Sequence, residues 1–357
     1  MTRKVNCGGI AIGGGASIPI QSMTNTDTRN VRATVSQIEA LQDAGCDIVR
    51  CAIPDKEAAE AFGEIKKKVH IPLVADIHFD YSLAITAIKK GADKVRINPG
   101  NIGDRDRVKA VIDAAKERKI PIRIGVNSGS LERDILEKHQ GVTEEGLAES
   151  ALRNIRMVEE MGFYDIVVSL KSSDVKLNYK AHQLIATKMD YPLHIGITEA
   201  GTIEGGKVKS AIGIGSLLLA GIGDTIRVSL TGDPIEEVNF AQEILKALDL
   251  RESTINLVSC PTCGRCGVDL GKIASEVENS LKGLEKELKK KKLPSITVAV
   301  MGCAVNGPGE AKAVDFGIAC GKGKGLIFKK GEIIQNVEEE DIAQELIKYI
   351  QEEVKLV

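Results

Sequence analysis

The chain has 357 residues, a formal net charge of -2 and eleven aromatic side chains, none of them Trp. That balance gives no polyelectrolyte footprint for nucleic acid and little material for base stacking, while the length suits one large domain followed by a small one. The longest uncharged apolar run, SAIGIGSLLLAGIG at 210–223, falls short of the roughly 20 residues that cross a bilayer, and the N-terminus lacks the apolar core of a signal peptide, so a soluble, cytoplasmic protein is expected.

In chain order, AIGGGAS at 11–17 reads as a turn leading into the first of eight short apolar or β-branched runs. These are IPIQSM from 18, DIVRCAI from 47, PLVADI from 72, KVRIN from 94, PIRIGV from 121, DIVVSL from 165, PLHIGI from 192 and TIRVSL from 225. Between them lie stretches of helical period such as TVSQIEALQDAG, where Val35, Ile38, Leu41 and Ala44 recur at three-residue steps and Gly45 supplies a stop. Most runs start about 22 to 32 residues after the one before, the length of one βα unit, and eight such units close most economically into a (β/α)8 TIM barrel over residues 1–250. An open doubly wound sheet would carry a glycine fingerprint after its first strand, whereas the glycine run here precedes it.

Chemistry in such barrels sits at the carboxyl ends of the strands. There the second run carries Arg50, the third Asp76 and His78, the fourth Arg96 and Asn98, and the fifth Arg123 and Asn127. The sixth carries Ser169 and Lys171, the seventh Thr198 and Glu199, and the eighth Arg227 and Ser229. Taken singly, an Arg at a strand end is more often a surface ion pair than a ligand, and His194 fits a satisfied core histidine equally well. Together, four arginines and a lysine around one mouth repel one another unless an anion neutralises them, and guanidinium forks suit phosphate oxygens. The expectation is a small, multiply phosphorylated substrate, with Asp76, His78 and Glu199 available for proton traffic.

From 251 to 357 the pattern changes to a small α+β domain. INLVSC reads as a strand ending on Cys260, followed by a long helix with Leu270, Ile273, Val277, Leu281, Leu284 and Leu288 on one face. PSITVAVMGC is a strand running into Cys303, GKGKGLIFKKGEII reads as a hairpin, and residues 339–351 form a closing helix. SCPTCGRC places Cys260, Cys263 and Cys266 two residues apart, and the far half, GCAVNGPGE, adds Cys303 and Glu310. Clustered thiols in a reducing compartment point to metal. Four thiolates in a tetrahedral zinc site and a cubane iron-sulfur cluster both remain open on spacing, which favours the cluster because the far half offers a single Cys. Cys7, Cys46 and Cys51, scattered through apolar segments, read as small buried hydrophobes.

Seven motifs, PIQSMTNTDT, VADIHFD, VRINPGNIG, RIGVNSGSL, GITEAG, SCPTCGR and GCAVNGPGE, resemble in order and spacing the family of 4-hydroxy-3-methylbut-2-enyl diphosphate synthases, in its compact bacterial two-domain form. The resemblance implies a barrel followed by a [4Fe-4S] domain. It implies reductive conversion of 2-C-methyl-D-erythritol 2,4-cyclodiphosphate into the linear allylic diphosphate of isoprenoid biosynthesis. It assigns the cluster to Cys260, Cys263, Cys303 and Glu310, leaving Cys266 out. Arg50, Arg96, Asn98, Arg123, Asn127, Lys171, Arg227 and Ser229 become the substrate-binding set, with Glu199 as proton donor assisted by Asp76 and His78. A ferredoxin or flavodoxin would supply electrons, and a head-to-tail homodimer would set each barrel against its partner's cluster domain. Cys266 and Cys320 depart from the usual pattern, and a thiolate at Cys266 would compete with Glu310 for iron. The rival reading is a barrel lyase or pterin-type synthase acting on a phosphorylated substrate with zinc as a structural staple; a zinc-ribbon binding module on an inert barrel would leave the cations without purpose.

Overall fold

Two short antiparallel strands, β1 (Val5–Cys7) and β2 (Ile10–Ile12), turn through Gly8 and Gly9, both at positive φ that L-residues avoid. Val5, Cys7 and Ile12 pack on Ile48, Val74 and Val167, so this hairpin plugs the amino-terminal end of the sheet that follows. The glycines Gly13, Gly14 and Gly15 lie at that end too: a Cβ on Gly13 would collide with the Arg3 carbonyl oxygen and crowd Pro192. They are therefore remote from the strands' carboxyl ends. The computed structural model of the protein describes residues 1–291, 293–303, 314–321 and 323–355, and the chain divides into two units, Met1–Arg251 and Glu252–Val357.

All eight apolar runs of the first unit become parallel strands: β3 (Gln21–Met23), β4 (Ile48–Ala52), β5 (Leu73–Asp76), β6 (Lys94–Ile97), β7 (Ile122–Asn127), β8 (Ile166–Lys171), β9 (His194–Ile195) and β10 (Thr225–Ile226). β3 to β8 form one sheet in sequence order, and β9 pairs with β10. Single parallel bridges, Val168 to Leu193 and Ile226 to Ile20, join the two pieces on both sides, which closes the ring. Stepping one residue toward the carboxyl end at each of the eight pairings returns to the starting residue, a stagger of eight around the ring. That is the geometry of a TIM barrel. β9 and β10 are only two residues each, shorter than their apolar runs, although the Arg227 amide still donates to the Ile195 carbonyl at 3.0 Å.

Outward-facing residues such as Val49, Leu73, Val95, Ile124 and Val168 are buried against the surrounding helices in one continuous core. Each contributes about 1.5–3 kcal/mol relative to exposure. The helices start where a short polar side chain satisfies an orphan amide: Asp55 accepts from Ala58, Asp174 from Leu177 and Asp233 from Ile235. The apolar run at 210–223 falls in the helix Ile203–Leu219 and the turn after it. No helix among the described residues is long and apolar enough to cross a membrane.

The second unit is one mixed sheet in the order β11 (Ile255–Ser259), β12 (Ile296–Met301), β13 (Phe316–Cys320), β14 (Lys324–Lys329), β15 (Glu332–Glu338). β11, β12 and β13 are parallel and the last three antiparallel, with β14 and β15 as the expected hairpin. The helix Leu270–Lys291 lays Leu270, Ile273, Val277, Leu281, Leu284 and Leu288 on this sheet, together with Ile342, Leu346 and Ile350 of the helix Ile342–Lys355.

Candidate functional site

Inward-facing residues of a barrel stack in layers of four taken from alternate strands, ordinarily filled by Val, Ile and Leu. Following the registers, the layer nearest the hairpin holds Ile48, Lys94, Val167 and Thr225, and the next Gln21, Val74, Arg123 and His194. Above it come Arg50, Arg96, Ser169 and Arg227, then Met23, Asp76, Gly125 and Gly196, and at the mouth Ala52, Asn98, Lys171 and Ser229. Branched aliphatic filling is confined to the two lowest layers, which hold Ile48, Val167 and Val74, and above them the interior is lined mainly by polar side chains. The two glycines make room: a Cβ on Gly125 would sit 2.7 Å from Arg96 Nε, and one on Gly196 would collide with the Arg227 carbonyl oxygen and lie 3.3 Å from Lys171 Nζ.

Asp76 is the carboxylate at the centre of this set. Arg96 Nη1 donates to its Oδ1 at 3.3 Å, Arg50 Nε stands 3.6 Å from Oδ2, and His78 Nε2 lies 3.6 Å from the same oxygen. Burial alone would raise the Asp76 pKa, but Arg50, the neighbouring His78 ring, Arg96 and Arg123 outweigh it and hold the carboxyl well below the usual carboxylate range. Arg50 otherwise points Nε and Nη2 at the Met23 sulfur, at 3.1 and 2.9 Å, a weak acceptor that leaves its donor capacity largely unspent. Arg227 Nη2 stands 3.6 Å from Glu237 Oε2, a carboxylate from the helix Pro234–Ala247 that also accepts from Ser22 and from the Leu230 amide.

The cations are held against strong opposition. Burial, then mutual repulsion, pushes Arg227 down to about 10, lowers Arg96, and drives Arg123 and Lys171 well below their ordinary values. A guanidinium does not give up its proton in a protein, so for the arginines this is stored repulsion that a bound anion relieves.

The remaining expected residues take separate positions. The buried Asn98 accepts from the Gly100 amide at 3.2 Å, capping the short helix Pro99–Ile102 at the mouth. Asn127 ends β7 half-buried, and Ser229 follows β10, also half-buried. His78 is half exposed at the rim, with Arg96 Nη1 3.3 Å from its Nε2. Glu199 is exposed and in the left-handed region (φ 51), a conformation that costs a non-glycine residue about 1–3 kcal/mol and that recurs at functional sites. Arg123 requires a correction: it is not at its strand end but second in β7, beneath Arg50, Arg96 and Arg227 and 1 % exposed. His194 is a core histidine, yet neither ring nitrogen has a partner among the described residues, so it is not the satisfied one expected. Lys94 and Glu237 face the barrel interior and were not anticipated, while Gln21 and Met23 lie in the QSMTNTD end of the first run without a role having been assigned to them. Lys94 and Arg96 in β6 and Asn98 just past its end stand two residues apart, and that alternation of polar side chains was the available signal.

In the second unit the thiol loops sit together at the ends of neighbouring parallel strands. Cys260 directly follows β11, while Gly302 and Cys303 follow β12. The Gly302 amide donates to Cys260 Sγ at 3.1 Å, and a Cβ on Gly302 would lie 2.8 Å from Cys266 Sγ. Cys263 is exposed, its thiol pKa lowered by hydrogen bonds from the Arg265 backbone and side chain, which favours the thiolate that binds metal. Glu310 lies outside the described residues, and no cluster of three or more metal-ligating side chains is assembled among the described ones. Thiol donors converging on two adjacent strand ends fit an iron-sulfur cluster by chemistry. Cys7, Cys46 and Cys51 are buried in the first unit, as small hydrophobes should be.

Two family models cover the chain: the GcpE TIM-barrel domain matches residues 2–242 and the GcpE protein C-terminal domain residues 256–352. A protein of Caldanaerobacter subterraneus subsp. tengcongensis is 57% identical over 99% of this chain and 98% of its own length, and one of Clostridium acetobutylicum is 58% identical over 98% of each; both are named 4-hydroxy-3-methylbut-2-en-1-yl diphosphate synthase (flavodoxin). Among solved structures, dihydropteroate synthase from Stenotrophomonas maltophilia superposes with a TM-score of 0.51 at 13% identity, over 70% of this chain and 99% of its own, a likeness of barrel fold alone. Whole-chain coverage at this identity, over both domains, places the protein in the GcpE family of 4-hydroxy-3-methylbut-2-en-1-yl diphosphate synthases.

Proposed function

We propose that the protein catalyses the reductive ring opening and dehydration of 2-C-methyl-D-erythritol 2,4-cyclodiphosphate to 4-hydroxy-3-methylbut-2-enyl diphosphate, with flavodoxin as electron donor and a [4Fe-4S] cluster in the second unit. The observation that carries the reading is the stack of buried cations around Asp76, whose spare donors face the barrel axis. The names of the relatives support the reaction and the flavodoxin.

Arg50, Arg96, Arg227 and Lys171 hold the two phosphoryl groups, with Asn98, Asn127 and Ser229 at the rim fixing their orientation. As the ring C–O bond breaks, negative charge grows on the departing phosphate oxygen, and these preorganised cations stabilise it without reorganising. Asp76 keeps Arg50 and Arg96 in place and remains ionised throughout; its depressed pKa makes it a positioning group and a poor acid. Glu199, exposed at the mouth, is the proton donor that lets a hydroxyl leave as water, and His78, across the rim beside Asp76 and Arg96, is a second group able to carry a proton. Cys260, Cys263, Cys303 and Glu310 would hold the cluster, which supplies the two electrons of the reduction and an iron able to act as a Lewis acid. Glu310 is the harder, more labile ligand, and Cys266 is the spare thiol.

Glu199→Gln is expected to lower kcat by two orders of magnitude or more while leaving the dissociation constant for the cyclic diphosphate within about threefold. Anaerobic single-turnover and binding measurements check this, and near-normal turnover would remove Glu199 from the proton path. A homodimer is part of the reading. The helix Ile203–Leu219 exposes Val208, Ile212 and Leu219 along one side, an apolar stripe that self-association would bury. Sedimentation at twice the mass of the chain is expected. The reaction itself is tested by incubating iron-loaded protein with cyclic diphosphate and reduced flavodoxin and following phosphorus NMR: linear diphosphate should appear, and unchanged substrate would sink the proposal.

A further inference from the structure

At the bottom of the barrel Lys94 lies beneath the rim, and one layer above it Arg123 also acts on the upper charges of Arg50, Arg96 and Asp76. Lys94 is fully buried, and its Nζ has no hydrogen-bond partner among the described residues. One layer up, Arg123 has Nε and Nη1 unpartnered, His194 both ring nitrogens, and Gln21 both amide atoms, all at 1 % exposure or less. These four side chains come from four different strands and converge on the axis, walled by Val74 and Val167 and floored by the hairpin.

The charges do not balance there. Six cations face the interior, namely Lys94, Arg123, Arg50, Arg96, Arg227 and Lys171, against the carboxylates of Asp76 and Glu237. Both carboxylates are occupied by the upper arginines. Lys171 stands four strand layers above Lys94, roughly 13 Å of strand at about 3.3 Å per residue, so an anion seated at the rim leaves the floor uncompensated. The ionisable group of the hairpin beside Lys94 is Cys7, and burial raises its thiol pKa, so it supplies no thiolate. A buried cation persists only when paired or deprotonated, and burial followed by the nearby arginines presses Lys94 down to about 8.

We propose that the barrel floor is a second anion site, distinct from the substrate mouth, that holds a small inorganic monoanion of the halide class between Lys94, Arg123, His194 and Gln21. The donor set suits such an ion: an ammonium, a guanidinium edge, one imidazole N–H and an amide NH2, beside the aliphatic side chains of Val74 and Val167, which favour a compact, weakly hydrated guest over a phosphate. The ion neutralises the lower cations and so lets Arg123 present its remaining guanidinium edge upward without a charged neighbour beneath it. This inference goes beyond the proposed reaction and stands without it, because it rests on the layer geometry, the unpartnered buried donors and the charge balance of the barrel interior.

The test uses the full chain with the mouth filled by inorganic pyrophosphate. Crystals grown in bromide in place of chloride are expected to show an anomalous peak on the barrel axis in contact with Lys94 Nζ. In solution, chloride replacing gluconate at fixed ionic strength and saturating pyrophosphate should raise the melting temperature by several degrees, and Lys94→Met should lose that rise. Water on the axis, or bromide found only among Arg50, Arg96 and Arg227 when pyrophosphate is omitted, would overturn the proposal. So would a chloride effect that survives Lys94→Met. The diffraction arm uses the unaltered protein, so the proposal remains decidable if the variant fails to fold.

Discussion

Asp76→Asn is expected to lose about 3 kcal/mol of stability in the ligand-free barrel, because it removes the carboxylate around which Arg50 and Arg96 are arranged and leaves buried cations facing one another. For a domain of this size that is a fall of roughly 6–12 °C in melting temperature. The sign with pH follows from the depressed pKa. A carboxyl lowered in the folded state contributes stability that is fully present above its unfolded value near 4 and is lost as pH falls toward the folded value. The gap between the natural protein and the variant should therefore stay constant from neutral pH to about pH 5 and shrink below it. Inorganic pyrophosphate, which replaces the missing negative charge, should stabilise the variant more than the natural protein. Scanning calorimetry with and without pyrophosphate checks both statements, and a variant as stable as the natural protein without ligand would mean that the cations are not balanced through Asp76.

Gly196→Ala is expected to weaken pyrophosphate binding ten- to a hundredfold and to lower stability by about 1–3 kcal/mol. Its Cβ would collide with the Arg227 carbonyl oxygen, a backbone atom that cannot swing aside, and would press on Lys171 Nζ. Two of the four upper cations would move together. Gly205→Ala is the control: it lies in a helix with open space around the position, and the substitution should be neutral or slightly stabilising. Isothermal titration of the three proteins with pyrophosphate decides the matter, and equal affinities would show that the close approach of β9 to β10 does not set the site.

Much of the barrel is legible in the sequence because eight apolar runs at βα spacing allow few closed arrangements; six of the observed strands fall within their runs, and β7 and β8 each extend one residue past theirs. The rim was legible for the same reason: charged residues ending apolar strands, such as Arg96 and Lys171, have one plausible place to converge. The depth of the polar interior was not. Whether Arg123 or Lys94 faces the axis depends on strand parity and on the stagger around the whole ring, a property of eight segments at once that none of them carries alone. Glu237 was hidden because a glutamate in a charged helix is ordinarily solvated, and only the fold brings it within reach of Arg227. Met23 was written in a quoted motif, but nothing in its type announces a thioether under two guanidinium nitrogens. In the second unit β13 went unread because DFGIACGKGKG is rich in glycine, and its strand character comes from pairing on both sides.

The central claim, that the cation-lined barrel works with a redox cluster on the thiol loops, is tested most directly by the iron, acid-labile sulfide and zinc content of protein purified without oxygen. About four irons and four sulfides per chain are expected, with the complement lost in Cys260→Ala and kept in Cys266→Ala. About one zinc per chain with no sulfide, under conditions in which clusters survive, would make the thiols a structural staple and would contradict the account.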